Sequence, residues 1–135
     1  MTLEIYDTTL RDGSQQEGIS LTVGDKLRIA GLLDDLGVTY IEGGWPGANR
    51  KDTEFFQRAQ SELDLRNATL TAFGSTRRPR GSVDGDEQLR ALLDAGTEHI
   101  CIVGKSWDYH VTEALRADLD EGVRMVAESI EFLKG

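Results

Sequence analysis

The chain has 135 residues, 39% hydrophobic and 29% charged, which is one domain's worth and enough to bury a real core. Its 24 acids against 15 bases give a formal charge of -9, the wrong sign for gripping phosphate backbones, so neither nucleic acid nor a membrane surface is expected as a partner. No apolar run approaches the roughly 20 residues that span a bilayer, Met1 to Asp7 lacks the form of a secretory leader, and one cysteine, Cys101, excludes an internal disulfide or multi-cysteine zinc site, so a reducing, cytoplasmic setting is expected.

The elements follow a regular punctuation. Leu3 to Tyr6 is strand-like. Thr22 with Asp25 three residues on is a helix start, because the hydroxyl accepts an orphan N–H and the acid reaches back. Leu27, Ala30 and Leu33 follow at helical spacing, with Leu32 and Leu36, and Gly37 stops the helix. Val38 to Ile41 is the second strand. A helix over Asp52–Leu63 carries Phe55, Phe56, Ala59 and Leu63 on its inner face. Ala68 to Phe73 is the third strand, and a helix over Asp86–Ala95, carried by Leu89, Leu92 and Leu93, ends at Gly96. His99 to Val103 is the fourth strand. Asp108 to Lys134 is mostly helix in two pieces, the second capped by Asp118 with Glu121 and striped by Leu119, Val123, Val126, Ile130 and Leu133.

Alternating strands and helices specify parallel βαβ units with right-handed crossovers, an α/β fold. Strand starts recur every 30 to 35 residues. Eight such units fill the usual (β/α)8 barrel of about 250 residues. This chain holds four, so it is either a small open sheet or the first half of a barrel.

In parallel α/β folds the working groups lie past the carboxyl ends of the strands. Those ends read Asp7 to Gln16, Glu42 to Gly47, Gly74 to Arg78 and Gly104 to Trp107, each polar or glycine-rich. That concentration points to one site shared between loops. Arg11 and Asp12 stand out. A guanidinium stabilises an oxyanion or clamps a carboxylate, and a carboxylate binds a hard divalent cation. On spacing alone a surface Arg–Asp pair on a turn closed by Gly13 is the simpler reading.

Asp7-Thr8-Thr9-Leu10-Arg11-Asp12-Gly13-Ser14-Gln15 resembles the N-terminal signature of the pyruvate-carboxyltransferase-like, metal-dependent barrel family. That family holds the isopropylmalate, homocitrate and citramalate synthases and hydroxymethylglutaryl-CoA lyase. Tyr40 to Gly47, Phe73 to Arg78 and Gly104 to Asp108 resemble the citramalate synthase branch in particular, as does Gly43 after Glu42. The resemblance covers essentially the whole chain, but only the first half of the family's TIM barrel.

The resemblance implies a Claisen-type condensation of acetyl-CoA with pyruvate, in the biosynthesis of branched-chain amino acids such as isoleucine. It implies a divalent metal (Mg, Mn or Zn) and a homodimer for the full-length parent. By residue-by-residue transfer, Arg11 polarises the keto oxygen, Asp12 is a metal ligand and Gln15 shapes the keto-acid pocket. Glu42 is either a second catalytic acid or a structural partner of Arg11. Ser75 and Lys105 are the further substrate-binding candidates, Lys105 alternatively closing a βα turn.

The family's His-x-His metal pair is missing here, and His99 and His110 read as structural. Arg77-Arg78-Pro79-Arg80 either meets the phosphates of coenzyme A or forms a solvated loop, the loop being preferred. Trp45 and Trp107 wall the pocket or seal the barrel top, and Cys101 reads as an inert buried thiol. With half the active-site ring missing, the chain is expected to be inactive alone. Its raw sheet edges and bare apolar surface are expected to drive self-association. An isopropylmalate or homocitrate synthase-like enzyme and a non-catalytic half-barrel subunit are the alternatives.

Overall fold

A computed structural model describes residues 3–135; Met1 and Thr2, the head of the segment read for a leader, lie outside the described residues. Four strands, β1 (Tyr6–Asp7), β2 (Tyr40–Gly44), β3 (Thr69–Ser75) and β4 (His99–Val103), form one parallel sheet in the order β1-β2-β3-β4. The helices α1 (Val23–Leu36), α2 (Arg50–Glu62), α3 (Glu87–Asp94) and α4 (Leu119–Lys134) alternate with them. A short 3-10 turn spans Gly13–Gln15 and a π turn spans His110–Ala114. Among the described residues no helix is long and apolar enough to cross a membrane.

The local signals act where they were expected. Thr22 and Asp25 form a full capping box on α1, and Gly37, at φ 89°, ends it. Asp86, read from the sequence as the first residue of the third helix, is its cap, accepting from Gln88 and Leu89 N–H. Asp118 caps α4, accepting from Glu121 N at 2.7 Å. Arg116, at φ 52°, separates α4 from the π turn, which is why the tail falls in two pieces. Helix α2 begins two residues earlier than the apolar stripe suggests, because Asn49 accepts the Asp52 N–H at 2.8 Å.

β4 matches the sequence reading, whereas the first three strands sit later in the chain than their apolar runs indicate. β2 is Tyr40–Gly44 and β3 continues to Ser75, so Glu42, Gly74 and Ser75 belong to strands rather than to the loops after them. β1 is Tyr6–Asp7 rather than Leu3–Tyr6; Leu3 is 82% exposed.

The two faces of the sheet divide the labour. Ile41, Leu70, Ala72, Ile100 and Ile102 pack against Ala30, Phe55, Phe56, Leu89 and Leu92 of the helices. The approach is close: a Cβ on Gly43 would stand 2.6 Å from Phe55, and one on Gly74 2.7 Å from Leu92. The opposite face carries Tyr6, Tyr40, Glu42, Thr71, Phe73 and Cys101, by register with one another. Cys101 is half-buried there, not sealed in the core. His99 packs edge-on to Tyr40 at 5.3 Å, a structural placement.

The alternation breaks once. Glu42 pairs with Thr71, but Gly44 pairs with Ala72, which leaves Gly43 as the extra residue of a β-bulge. A Cβ on Gly43 would meet Phe55 and one on Gly44 would meet Asp52, both residues of α2. Two successive residues therefore face the helices, and Trp45 returns to the opposite face.

Buried polar groups tie the layers together. Asp34 accepts backbone N–H groups from Arg66, Asn67 and Ala68, pinning the start of β3 to the end of α1. Arg77 is 3% exposed and pairs with Glu121 at 2.7 Å and Glu128 at 2.6 Å, joining the end of β3 to α4. The solvated-loop reading thus fails for Arg77, while Arg78 and Arg80 are exposed. The Arg77 hydrogen bond, helped by the Arg80 N–H, lowers the Glu121 pKa from 4.5 to about 2. A carboxylate whose folded pKa is depressed stabilises above its unfolded pKa and loses that contribution as pH falls. Comparing wild type with Glu121→Gln in urea should therefore show a stability gap at neutral pH that narrows from about 4.5 towards about 2. A pH-independent gap would assign the effect to packing.

At the outer edge of the sheet, Val103, Trp107, Leu119, Val123 and Ile130 are exposed. Val123 and Leu119 line an apolar cavity with Val111 and Val126, between the end of β4 and α4.

Candidate active site

The loop after β1 is a compact turn. Leu10 is fully buried and anchors it; Arg11 and Gly13 N–H both donate to the Thr8 carbonyl, at 3.2 and 3.0 Å. The Ser14 hydroxyl closes it on the Leu10 and Arg11 carbonyls. These bonds project the Arg11 side chain over the polar face of the sheet.

Three groups receive the guanidinium. Nε donates to Glu42 Oε1 at 2.5 Å, and Nη1 donates to Asp12 Oδ1 at 3.2 Å. Cζ lies 4.0 Å from the centroid of the Phe73 ring. Glu42 is 1% exposed, so its charge is matched by Arg11 in a nearly dry setting, whereas the Asp12 side chain is 66% exposed. Among the described residues no acceptor meets Nη2, which leaves donors directed away from Glu42 for an incoming oxygen anion. Burial pushes the Tyr6 hydroxyl pKa well up, with nearby Cys101 and Glu42 adding to the effect, so the phenol stays protonated.

The other sequence candidates are placed differently. Gln15 is exposed on the 3-10 turn, in the same loop as Arg11. Ser75 is half-buried, and its hydroxyl lies 3.4 Å from Gln88 Oε1 of α3. Lys105 is exposed and lines the apolar cavity beside α4. The structure thus joins Arg11, Asp12 and Glu42 in one contact group and joins neither Ser75 nor Lys105 to it. His110 stacks edge-on with Trp107 at 4.7 Å, outside that group.

Two aromatic residues complete the site: Trp45, expected from the sequence to wall the pocket or seal the barrel top, and Phe73, which the sequence does not single out. Trp45 meets Phe73 edge to face, with centroids 5.4 Å apart and planes at 84°. The signal for Phe73 is its two-residue offset from Thr71 in β3, and the pairing of Thr71 with Glu42 puts Phe73 on the face that carries Arg11. Behind them, Asp52 accepts from Trp45 N at 2.9 Å and from Lys26 Nζ at 2.5 Å.

For a divalent metal, Asp12 is the one exposed carboxylate beside Arg11. Among the described residues no group of three or more His, Cys, Asp or Glu side chains is placed to hold a metal ion. One carboxylate is too small a donor set for a hard cation, which takes several oxygen ligands. These residues alone therefore do not make a metal site.

Comparison with known proteins gives this geometry a family. A model described as HMGL-like matches residues 2–135. The chain belongs to the HMGL-like family. Within that family it is 57% identical over 133 residues to a protein named (R)-citramalate synthase from Streptomyces coelicolor, covering 98% of this chain and 25% of that relative. A protein of the same name from Aquifex aeolicus is 57% identical over 130 residues, covering 96% of this chain and 24% of the relative. The chain thus spans about a quarter of the length of these curated relatives. Among solved structures, the hydroxymethylglutaryl-CoA lyase of Pseudomonas aeruginosa superposes with a TM-score of 0.68 at 19% identity, over 97% of this chain and 42% of that one. That likeness shows the fold: the four βα units of this HMGL-like chain form the N-terminal half of a TIM barrel.

Proposed function

We propose that the full-length protein carrying this chain is a citramalate synthase, condensing acetyl-CoA with pyruvate. The observation that carries the reading is the 57% identity to (R)-citramalate synthase over 98% of the chain. The Arg11–Glu42–Asp12 group supports it, because it presents a fixed cation where a keto acid would need one.

The acetyl methyl group loses a proton, and the resulting carbon nucleophile forms a bond to the keto carbon of pyruvate. The keto π electrons move to oxygen, which takes up a proton. Water then cleaves the thioester, releasing coenzyme A and a carboxylate. Arg11 holds the keto acid and stabilises negative charge as it develops on the keto oxygen. Glu42 keeps Arg11 oriented through Nε. Gln15, in the loop of Arg11, borders the keto-acid pocket. Ser75 and Lys105 are proposed as outer contacts of the larger substrate.

The full-length protein is proposed to use a divalent metal. Asp12 is one ligand, and the others come from sequence outside this stretch. When bound, the metal supplies Lewis-acid polarisation of the keto acid. A homodimeric, cytoplasmic enzyme of branched-chain amino-acid biosynthesis completes the proposal, with the 135-residue chain inactive by itself.

A coenzyme A release assay tests this, with acetyl-CoA and either pyruvate or 2-ketoisovalerate, in magnesium or manganese. The 135-residue chain is run beside the full-length protein. Release by the full-length protein alone, and with pyruvate alone, is the expected result. Preference for 2-ketoisovalerate would move the protein to an isopropylmalate synthase-like activity. No release with any keto acid would refute the condensing reading.

A further inference from the structure

Glu42 and Asp12 hold Arg11 by two nitrogen atoms, Nε and Nη1. Two points define an axis and leave rotation about it free. The Phe73 ring, 4.0 Å from Cζ, supplies the third constraint. A cation over a ring face is attracted by the ring quadrupole, most strongly when desolvated. The same face keeps water off one side of the guanidinium, which strengthens the hydrogen bonds made from its other atoms.

Phe73 is itself braced. Trp45 packs against it edge to face, the favourable aromatic arrangement. Trp45 is brought to this face of the sheet by the Gly43 bulge. Its backbone N–H is held by Asp52, and Asp52 by the buried ammonium of Lys26 and by Asn49 Nδ2 at 3.1 Å. A polar core pair thus fixes the backbone from which the indole projects, the indole backs the phenyl ring, and the ring carries the guanidinium.

We propose that Phe73, buttressed by Trp45, is a positioning residue that sets the tilt of the Arg11 guanidinium towards the keto acid. The proposal rests on the reading of Arg11 as the group that holds that substrate. It requires no contact between Phe73 and the reacting atoms. Its effect enters through the orientation of the guanidinium donors that bind the keto acid.

The test uses the full-length protein with Phe73→Leu, Phe73→Tyr and a series of fluorinated phenylalanines at position 73. Fluorine withdraws charge from the ring face while nearly keeping its shape. Phe73→Leu is expected to raise KM for the keto acid by about 5- to 10-fold. KM for acetyl-CoA should be little changed, and Phe73→Tyr should restore most of the loss. The fluorinated series should lose keto-acid affinity stepwise with each fluorine. A flat fluorine series, or a Phe73→Leu loss confined to kcat, overturns the proposal.

A second readout does not depend on activity. Modification of Arg11 by phenylglyoxal, mapped by peptide mass, should accelerate several-fold in Phe73→Leu and not in Phe73→Tyr. Unchanged reactivity overturns the proposal whether or not the protein condenses anything. Faster modification in a protein without condensing activity would sustain the positioning role and remove the functional reading alone.

Discussion

Replacing Arg11 with lysine in the full-length protein is expected to lower the condensation kcat/KM by about 10²- to 10³-fold, the loss typical of removing a preorganised donor to a developing oxyanion. Lysine keeps the charge but not the fork. Arg11 uses Nε for Glu42, Nη1 for Asp12 and its flat face for Phe73, all at once. A single ammonium cannot satisfy Glu42 and Asp12 and still present a directed donor to substrate. Glu42 would lose its geometric partner in a setting where it is 1% exposed. Glu42→Gln keeps an acceptor at Nε and gives up only the charge, so its expected loss is smaller, about tenfold, the scale of one charge-assisted bond weakened to a neutral one. Steady-state coenzyme A release for both variants decides the matter. If Arg11→Lys keeps more than half the wild-type rate, the role assigned to Arg11 is wrong. If Glu42→Gln is the more damaging of the two, Glu42 carries chemistry of its own rather than orienting Arg11.

The second large effect is on stability. Lys26 is 1% exposed and donates to Asp52 at 2.5 Å, with its ammonium 4.9 Å from the Phe55 ring centroid. Burial pushes the Lys26 pKa down, and the hydrogen bond to Asp52 pulls it back up. Removing one partner of such a pair leaves the other charge buried without compensation. Lys26→Met is therefore expected to cost about 3–5 kcal/mol. Asp52 keeps its bonds from Trp45 N and Asn49 in that variant, but it loses its only cationic partner among the described residues. Adding Asp52→Asn removes the stranded charge while keeping an acceptor for Trp45 N, so the double variant should recover part of the loss. Urea unfolding of the two variants beside wild type measures this coupling. A Lys26→Met cost below about 1 kcal/mol would place the pair among ion pairs of no net consequence.

Much of the fold was legible because it is written locally. The Thr22–Asp25 box, the Asp118 cap and the Gly37 stop are all set within a few residues of the elements they bound. The strands were legible as apolar runs but not in register. β2 was read early, at Val38–Ile41, because its real span Tyr40–Gly44 mixes a buried glutamate and two glycines. Those residues look like a loop until the helix packed on Gly43 is known. The Arg11–Asp12 pair was legible from its motif. Its attachment to Glu42 spans 31 residues, and nothing local in the chain separates a catalytic from a structural role for that acid. Long-range partners hid the rest. Arg77 meets acids 44 and 51 residues away, so nothing near it in the chain separates it from its exposed neighbours Arg78 and Arg80. Lys26 sits one turn before Ala30 on the buried side of α1, where a charged residue reads as a polar surface position. Ser75 and Lys105 stand out in the sequence for following strands, a rule that gives the right end of the sheet but not the direction of a side chain.

The extra residue at Gly43 makes β2 a strand whose parity changes partway. Before it, odd and even positions have fixed faces; after it, they have exchanged them. Glu42 and Trp45 sit three apart, yet they share the face that carries Arg11. Odd spacing along a strand ordinarily separates two side chains, so the acid and the indole depend on a length of chain rather than on a residue type. Point replacements around them change the quality of that face, whereas losing a single residue between them would turn the indole to the helices. The segment therefore tolerates drift in composition far more readily than drift in count.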